Sequence, residues 1–115
     1  MNFEIKKGDL VIANRANLAS TMTERIIGLM FSNDLGERDA LIIDPCRSIH
    51  TFFMRYSIDV VFLSSKNRVI KIIRRYRPWR ISWIYFRATK VIEFMEGTLS
   101  LEIKEGDHLD IKCIN

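Results

Sequence analysis

Apolar Phe3 and Ile5 alternate with polar Asn2, Glu4 and Lys6, the mark of a short strand with one buried face. Gly8-Asp9 offers a turn, and Leu10 to Ala13 predicts a second strand. The period then changes. Thr21 and Glu24 are spaced as a capping box, and Met22, Ile26, Leu29 and Met30 recur at helical intervals behind them. Gly28 sits inside that helix, where glycine costs about 1 kcal/mol relative to alanine, so close packing on another backbone is expected. Polar residues from Ser32 to Asp39 read as a loop.

Strands dominate the rest. Ala40 to Ile43 is one, ended by Asp44-Pro45, and Ile49 to Phe53 is another. Ile58 to Leu63 is apolar on both alternating faces except at Asp59, as in a central strand covered on both sides. Ser64 to Asn67 turns the chain into a hairpin partner from Arg68 to Arg74, and Pro78 breaks that run. Ile81 to Arg87 and Val91 to Met95 are further strands. Thr98 is placed to cap one helical turn through Lys104, and Gly106-Asp107 turns again. His108 to Ile114 alternates with Leu109, Ile111 and Cys113 pointing inward. About eight short strands and one helix in the N-terminal half predict a mainly β single domain over residues 1–115, a small barrel or a sandwich.

Composition sharpens this picture. The 115 residues suit one domain, and 48% hydrophobic with 28% charged residues suits a globular chain. No apolar run approaches the roughly 18 residues of a spanning helix. The charged start, Glu4 to Asp9, lacks a signal peptide's apolar centre, so a cytoplasmic location is expected. Cys46 and Cys113 have no Cys-x-x-Cys spacing, so neither a zinc site nor a redox motif is indicated, and no metal or cofactor is expected. Charge is distributed unevenly. Val60 to Ile92 carries nine basic residues and no acid, while the rest of the chain holds the other nine against all 14 acids. Such a layout steers anionic partners toward one face, or draws the two parts together on folding.

Several fragments, in order, resemble one family. Thr23 to Phe31 resembles its Glu-Arg-x-x-Gly-Leu-Met-Phe signature, Cys46 to Arg55 its middle motif, and Ile58 to Leu63 the apolar strand that follows. Val69-Ile70, Pro78, Val91-Ile92-Glu93 with Gly97, and Gly106-Asp107 continue the series. From about Ala13 onward the chain is similar to the prokaryotic domain-of-unknown-function family 192. That resemblance implies a mostly β domain and no particular activity. Phe53 and Tyr56-Ser57 depart from the family pattern, at a turn that would shape any nearby site.

Within the chain, His50 is the first chemical candidate, as a general base or a ligand contact, because imidazole is readily tuned near neutral pH. It shares a strand face with Phe52 and Met54; the commoner alternative is a histidine that locks a loop. Cys46 would join it as a nucleophile only with a third, orienting group, which the sequence does not supply. Asp59, alone in an apolar strand, needs a partner, and Arg55, Arg25, His50 or the amides of the Met54–Ser57 turn are the expected ones. A structural role for Arg25, Gly28 and Asp59 is favoured over a His50–Asp59 catalytic pair. Tyr76 to Arg87 holds five of the 12 aromatic residues interleaved with arginine, a composition suited to stacking or to anion contact. The simplest functional reading is a non-enzymatic binding or accessory module with His50, Met54, Asp59, Arg77, Trp79 and Arg80 as contacts. Its partner would be a protein or a small anionic or sugar-like ligand. Nucleic acid or an anionic membrane surface is the alternative through the basic residues between Arg68 and Lys90.

Overall fold

Six consecutive buried positions, Ile58 to Leu63, form the spine of the molecule. The structure, a computed structural model describing residues 2–19, 38–51 and 54–114, arranges the chain around that strand. In chain order the strands are β1 (Phe3–Lys7), β2 (Leu10–Ala19), β3 (Ala40–Ile43), β4 (Ile58–Leu63), β5 (Val69–Tyr76), β6 (Lys90–Met95) and β7 (Asp110–Cys113). They form a single sheet in the order β5-β4-β6-β3-β2-β1-β7. The β2–β3 pair is parallel and the other neighbours are antiparallel. A parallel pair needs a long crossover. The helix expected around Thr21, Glu24, Arg25 and Gly28 falls in that crossover, outside the described residues.

Alternation along the central strands divides the core between the two faces of the sheet. Ile42, Val61, Leu63, Ile92 and Phe94 point one way and meet Ile5 and Leu109. Leu41, Ile43, Val60, Phe62 and Val91 point the other way and meet Ile49, Met54 and Ala88. Burying one such large side chain contributes about 1.5–3 kcal/mol, so two apolar layers on one sheet are the main source of stability.

Four expectations need correction. The sheet is not closed into a barrel, and the strands do not split into a two-sheet sandwich. Among the described residues its edges meet at an isolated Arg68–His108 bridge, where the Val69 amide donates to Asp107 O and the Gly106 amide to Val69 O, both at 2.8 Å, and the Leu109 amide to Asn67 O at 2.9 Å. Neither Ile49–Phe53 nor Ile81–Arg87 forms a strand in its described residues; His50 and Ile81 share a single bridge. There the Ile49 amide donates to the Ser82 hydroxyl at 2.8 Å, a side-chain bond that competes with a regular ladder. No helical turn follows Thr98, whose hydroxyl points back to the Met95 carbonyl at 2.8 Å. Cys113 is exposed, because β7 is an edge strand paired only with β1. It is a thiol, like Cys46, and the two are not bonded to each other.

Asp59 departs from its expected partners in an informative way. Ile58 pairs with Tyr76 and Val60 with Ile73, so Asp59 faces two residues of β5, Arg74 and Arg75. This is a bulge, with Arg75 at φ 56°, a left-handed conformation that a non-glycine residue adopts at a cost. The Asp59 carboxylate is 1% exposed and offsets that cost. Its Oδ1 accepts the Arg75 amide at 3.0 Å; its Oδ2 accepts the Gly97 amide at 3.0 Å and the Leu99 amide at 3.4 Å. Beside it, the Arg74 guanidinium donates to the Leu99 and Ser100 carbonyls at 2.9 and 2.8 Å. One buried acid therefore welds the end of β5 to the turn after β6, and the Met54–Ser57 turn is not among its partners.

Asp59→Ala strands up to three amides, and bonds to a charged acceptor contribute about 1.5–3 kcal/mol each. The variant is expected to lose about 3–5 kcal/mol of stability in a urea titration. An unchanged midpoint would refute the weld. A second, weaker fastener links Lys7 Nζ to Asp107 Oδ2 at 2.8 Å. The hydrogen bond from Lys7, followed by that from the Lys104 amide, holds the Asp107 carboxyl below its ordinary value. Its contribution is present at neutral pH and is lost as pH falls through the lowered folded-state value. Lys7→Met is expected to flatten that part of the stability–pH curve.

Candidate binding surface

The bulge at Arg75 sets the direction in which the chain leaves the sheet. Tyr76, the last residue of β5, still packs against the core, and burial pushes its phenol above the ordinary value, with Tyr85 adding and Arg80 opposing. Beyond it, residues 77–87 run as an irregular excursion before β6 begins. Trp79 takes a left-handed φ of 63°. Tyr85 turns inward and meets the Phe62 ring with centroids 4.5 Å apart.

The rest of the excursion faces solvent. Trp83 is 80% exposed, Phe86 79%, Ile81 72% and Trp79 56%. Ile81, Ser82, Trp83, Ile84 and Phe86 frame a shallow hollow of about 450 Å³. Arg77, Arg80 and Arg87 are exposed along the same stretch. Strand alternation would set Trp83 with Tyr85 on one face and Ile84 with Phe86 on the other; the structure instead turns Tyr85 inward and the other three outward. A contiguous apolar surface of this kind marks a contact site more often than an isolated exposed leucine does.

Thr51 holds this exposed segment in place. It is wholly buried. Its amide donates to the Arg80 carbonyl at 2.8 Å, and its carbonyl accepts the Trp79 amide at 2.9 Å. Its hydroxyl donates to the Arg77 carbonyl at 2.6 Å and accepts the Arg80 amide at 2.9 Å. Further along, the Ile49 carbonyl accepts the Ser82 amide at 2.8 Å and the Arg47 carbonyl accepts the Tyr85 amide at 2.9 Å. Irregular backbone is thereby satisfied without a ladder.

The structure gathers Arg77, Trp79 and Arg80 on this excursion and separates them from the other sequence candidates. His50 lies beneath it, half-buried, with its backbone bridged to Ile81. Met54 is 5% exposed and belongs to the core layer with Ile49 and Ile58. Asp59 accepts its hydrogen bonds from three backbone amides, and the hollow beside it is lined by Arg74, Arg75 and Gly97 rather than by His50. Cys46 directs its thiol at the Ser48 carbonyl, 2.9 Å away. Among the described residues no group of three or more His, Cys, Asp and Glu side chains is placed to hold a metal ion.

Two residues were missed by sequence reasoning. Thr51 carries a faint signal, a small hydroxyl among the apolar residues Ile49, Phe52 and Phe53. Glu93, wholly buried, lies between its strand neighbours Leu41 and Val60, on the face opposite Asp59. The sign that flagged Asp59, one charge in an apolar strand, was present there too.

Known proteins share this architecture. The family model DUF192, described as "Uncharacterized ACR", matches residues 3–111. The chain belongs to the DUF192 family. A UPF0127 protein of Thermococcus sibiricus is 34% identical over 105 residues, covering 87% of this chain and 68% of that protein. UPF0127 protein PH1112 of Pyrococcus horikoshii is 41% identical over 99 residues, covering 80% and 83%. A crystal structure of a protein of unknown function from Novosphingobium aromaticivorans superposes with a TM-score of 0.77. It is 23% identical, with 96% of this chain and 84% of that one covered, which shows the DUF192 fold alone.

Thr51→Val keeps the branched shape and removes the hydroxyl, leaving the Arg80 amide and Arg77 carbonyl short of a partner. The expected cost is about 1–3 kcal/mol, together with faster tryptic cleavage after Arg80 in the folded protein. Unaltered cleavage would mean that Thr51 does not hold the segment.

Proposed function

We propose that this DUF192 chain is a non-enzymatic binding module whose contact surface is the excursion from Arg77 to Arg87. The observation that carries this reading is the exposure of two tryptophans and three arginines on a segment pinned from beneath by a buried threonine. Large aromatic side chains in water and an irregular backbone held rigid both favour recognition of a partner over flexible packing. Arginine, with five donors in a planar fork, suits carboxylate, phosphate or sulfate groups. An anionic surface, or a small anionic or sugar-like ligand, is therefore the partner class, with Arg77, Trp79 and Arg80 as first contacts.

Catalysis by a His50–Asp59 pair receives no support from the geometry, because all the hydrogen bonds of the carboxylate go to backbone amides. Arg77→Ser with Arg80→Ser tests the binding reading. Both side chains are exposed, so the double variant is expected to unfold at the same urea concentration as the parent. On immobilised heparin, a sulfated sugar polymer, the parent is expected to be retained and released by salt, and the variant to elute earlier. Equal elution of the two would contradict the assignment of these arginines.

A further inference from the structure

Resting on that reading, we infer that the partner of the excursion is an anionic lipid bilayer surface, which the segment enters by its apolar side chains. The composition of the patch distinguishes this occupant from the others. Ile81 is 72% exposed and Ile84 52%, and both stand among the aromatic side chains around the hollow. Aliphatic side chains gain nothing from stacking on bases, whereas the boundary between headgroups and acyl chains receives aliphatic and aromatic groups alike. Tryptophan in particular partitions to that boundary.

Charge points the same way. Arg77, Arg80 and Arg87 flank the apolar groups, and no acid occurs between Val60 and Ile92. Bilayers with anionic headgroups attract such a cluster, each arginine strengthening binding roughly fivefold near the surface. A two-fold pairing of copies through this patch would instead bring the arginines of one chain against those of the other. The contact inferred is with one leaflet, through a shallow apolar face anchored by charge.

The test is sedimentation of the full chain with vesicles of equal parts phosphatidylglycerol and phosphatidylcholine, with tryptophan emission recorded alongside. Binding to these vesicles with a blue shift, and no binding to pure phosphatidylcholine, is the expected result. Arg77→Ser with Arg80→Ser should weaken partitioning roughly 30-fold. Trp83→Ser should weaken it by about tenfold while leaving elution from heparin unchanged, because it removes apolar burial and no charge. Retention on heparin without vesicle binding would overturn the lipid assignment and leave the anion-binding module standing. Failure on both would overturn both. Quenching of the tryptophans by single-stranded DNA in the absence of vesicle binding, or a dimer that shields them, would likewise overturn the lipid assignment.

Discussion

A carboxylate buried in an apolar sheet is tolerable only when every lone pair that matters meets a donor. Asp59 meets that condition with three backbone amides, one from the β5 bulge and two from the turn after β6, and the architecture around β4 and β5 depends on it. Without an acceptor on its neighbouring strand, the extra residue at Arg75 would leave its amide without a partner and a left-handed arginine unsupported. Bulge, turn and acid are thus one unit. The strand reversal after β6 is set by the same atoms that bend the end of β5.

That unit has a consequence at the surface. An edge strand that continued straight past Tyr76 would present a row of open amides and carbonyls to other chains. The bulge ends β5 and sends the chain into the excursion, where Thr51 takes up the loose backbone groups. The excursion is held at both ends, by Asp59 before it and by Tyr85 against Phe62 near its close. Apolar side chains between these anchors are kept out of the core by their mounting. Their exposure raises the free energy of the isolated chain, and covering them recovers it, which is the thermodynamic basis for binding there.

The sheet was legible in the sequence because burial on one or both faces imposes a period of two that survives in the residues themselves. β1, β3, β4 and β6 follow from that pattern, and Asp59 announced its burial by being the one charge in β4. Its partners were illegible: they are backbone amides far along the chain, and a register shift opposite β4 leaves no residue-type signature at Arg75. The segments 49–51 and 81–87 looked like strands for a related reason. Their apolar and aromatic composition has strand character, while the Ser82 and Thr51 hydroxyls that displace the ladder are common residues anywhere. The basic and aromatic character of Tyr76 to Arg87 was plain from the sequence; which of its rings face water was decided by the anchors.

The role of Asp59 is tested most directly by hydrogen exchange of the Arg75 and Gly97 backbone amides in the unaltered protein. Both lie at irregular positions, where amides without a buried acceptor exchange rapidly. If the carboxylate joins the bulge to the turn, the two amides should exchange only as slowly as those of central β4. Exchange at the rate of an open surface loop, at either position, would contradict the account.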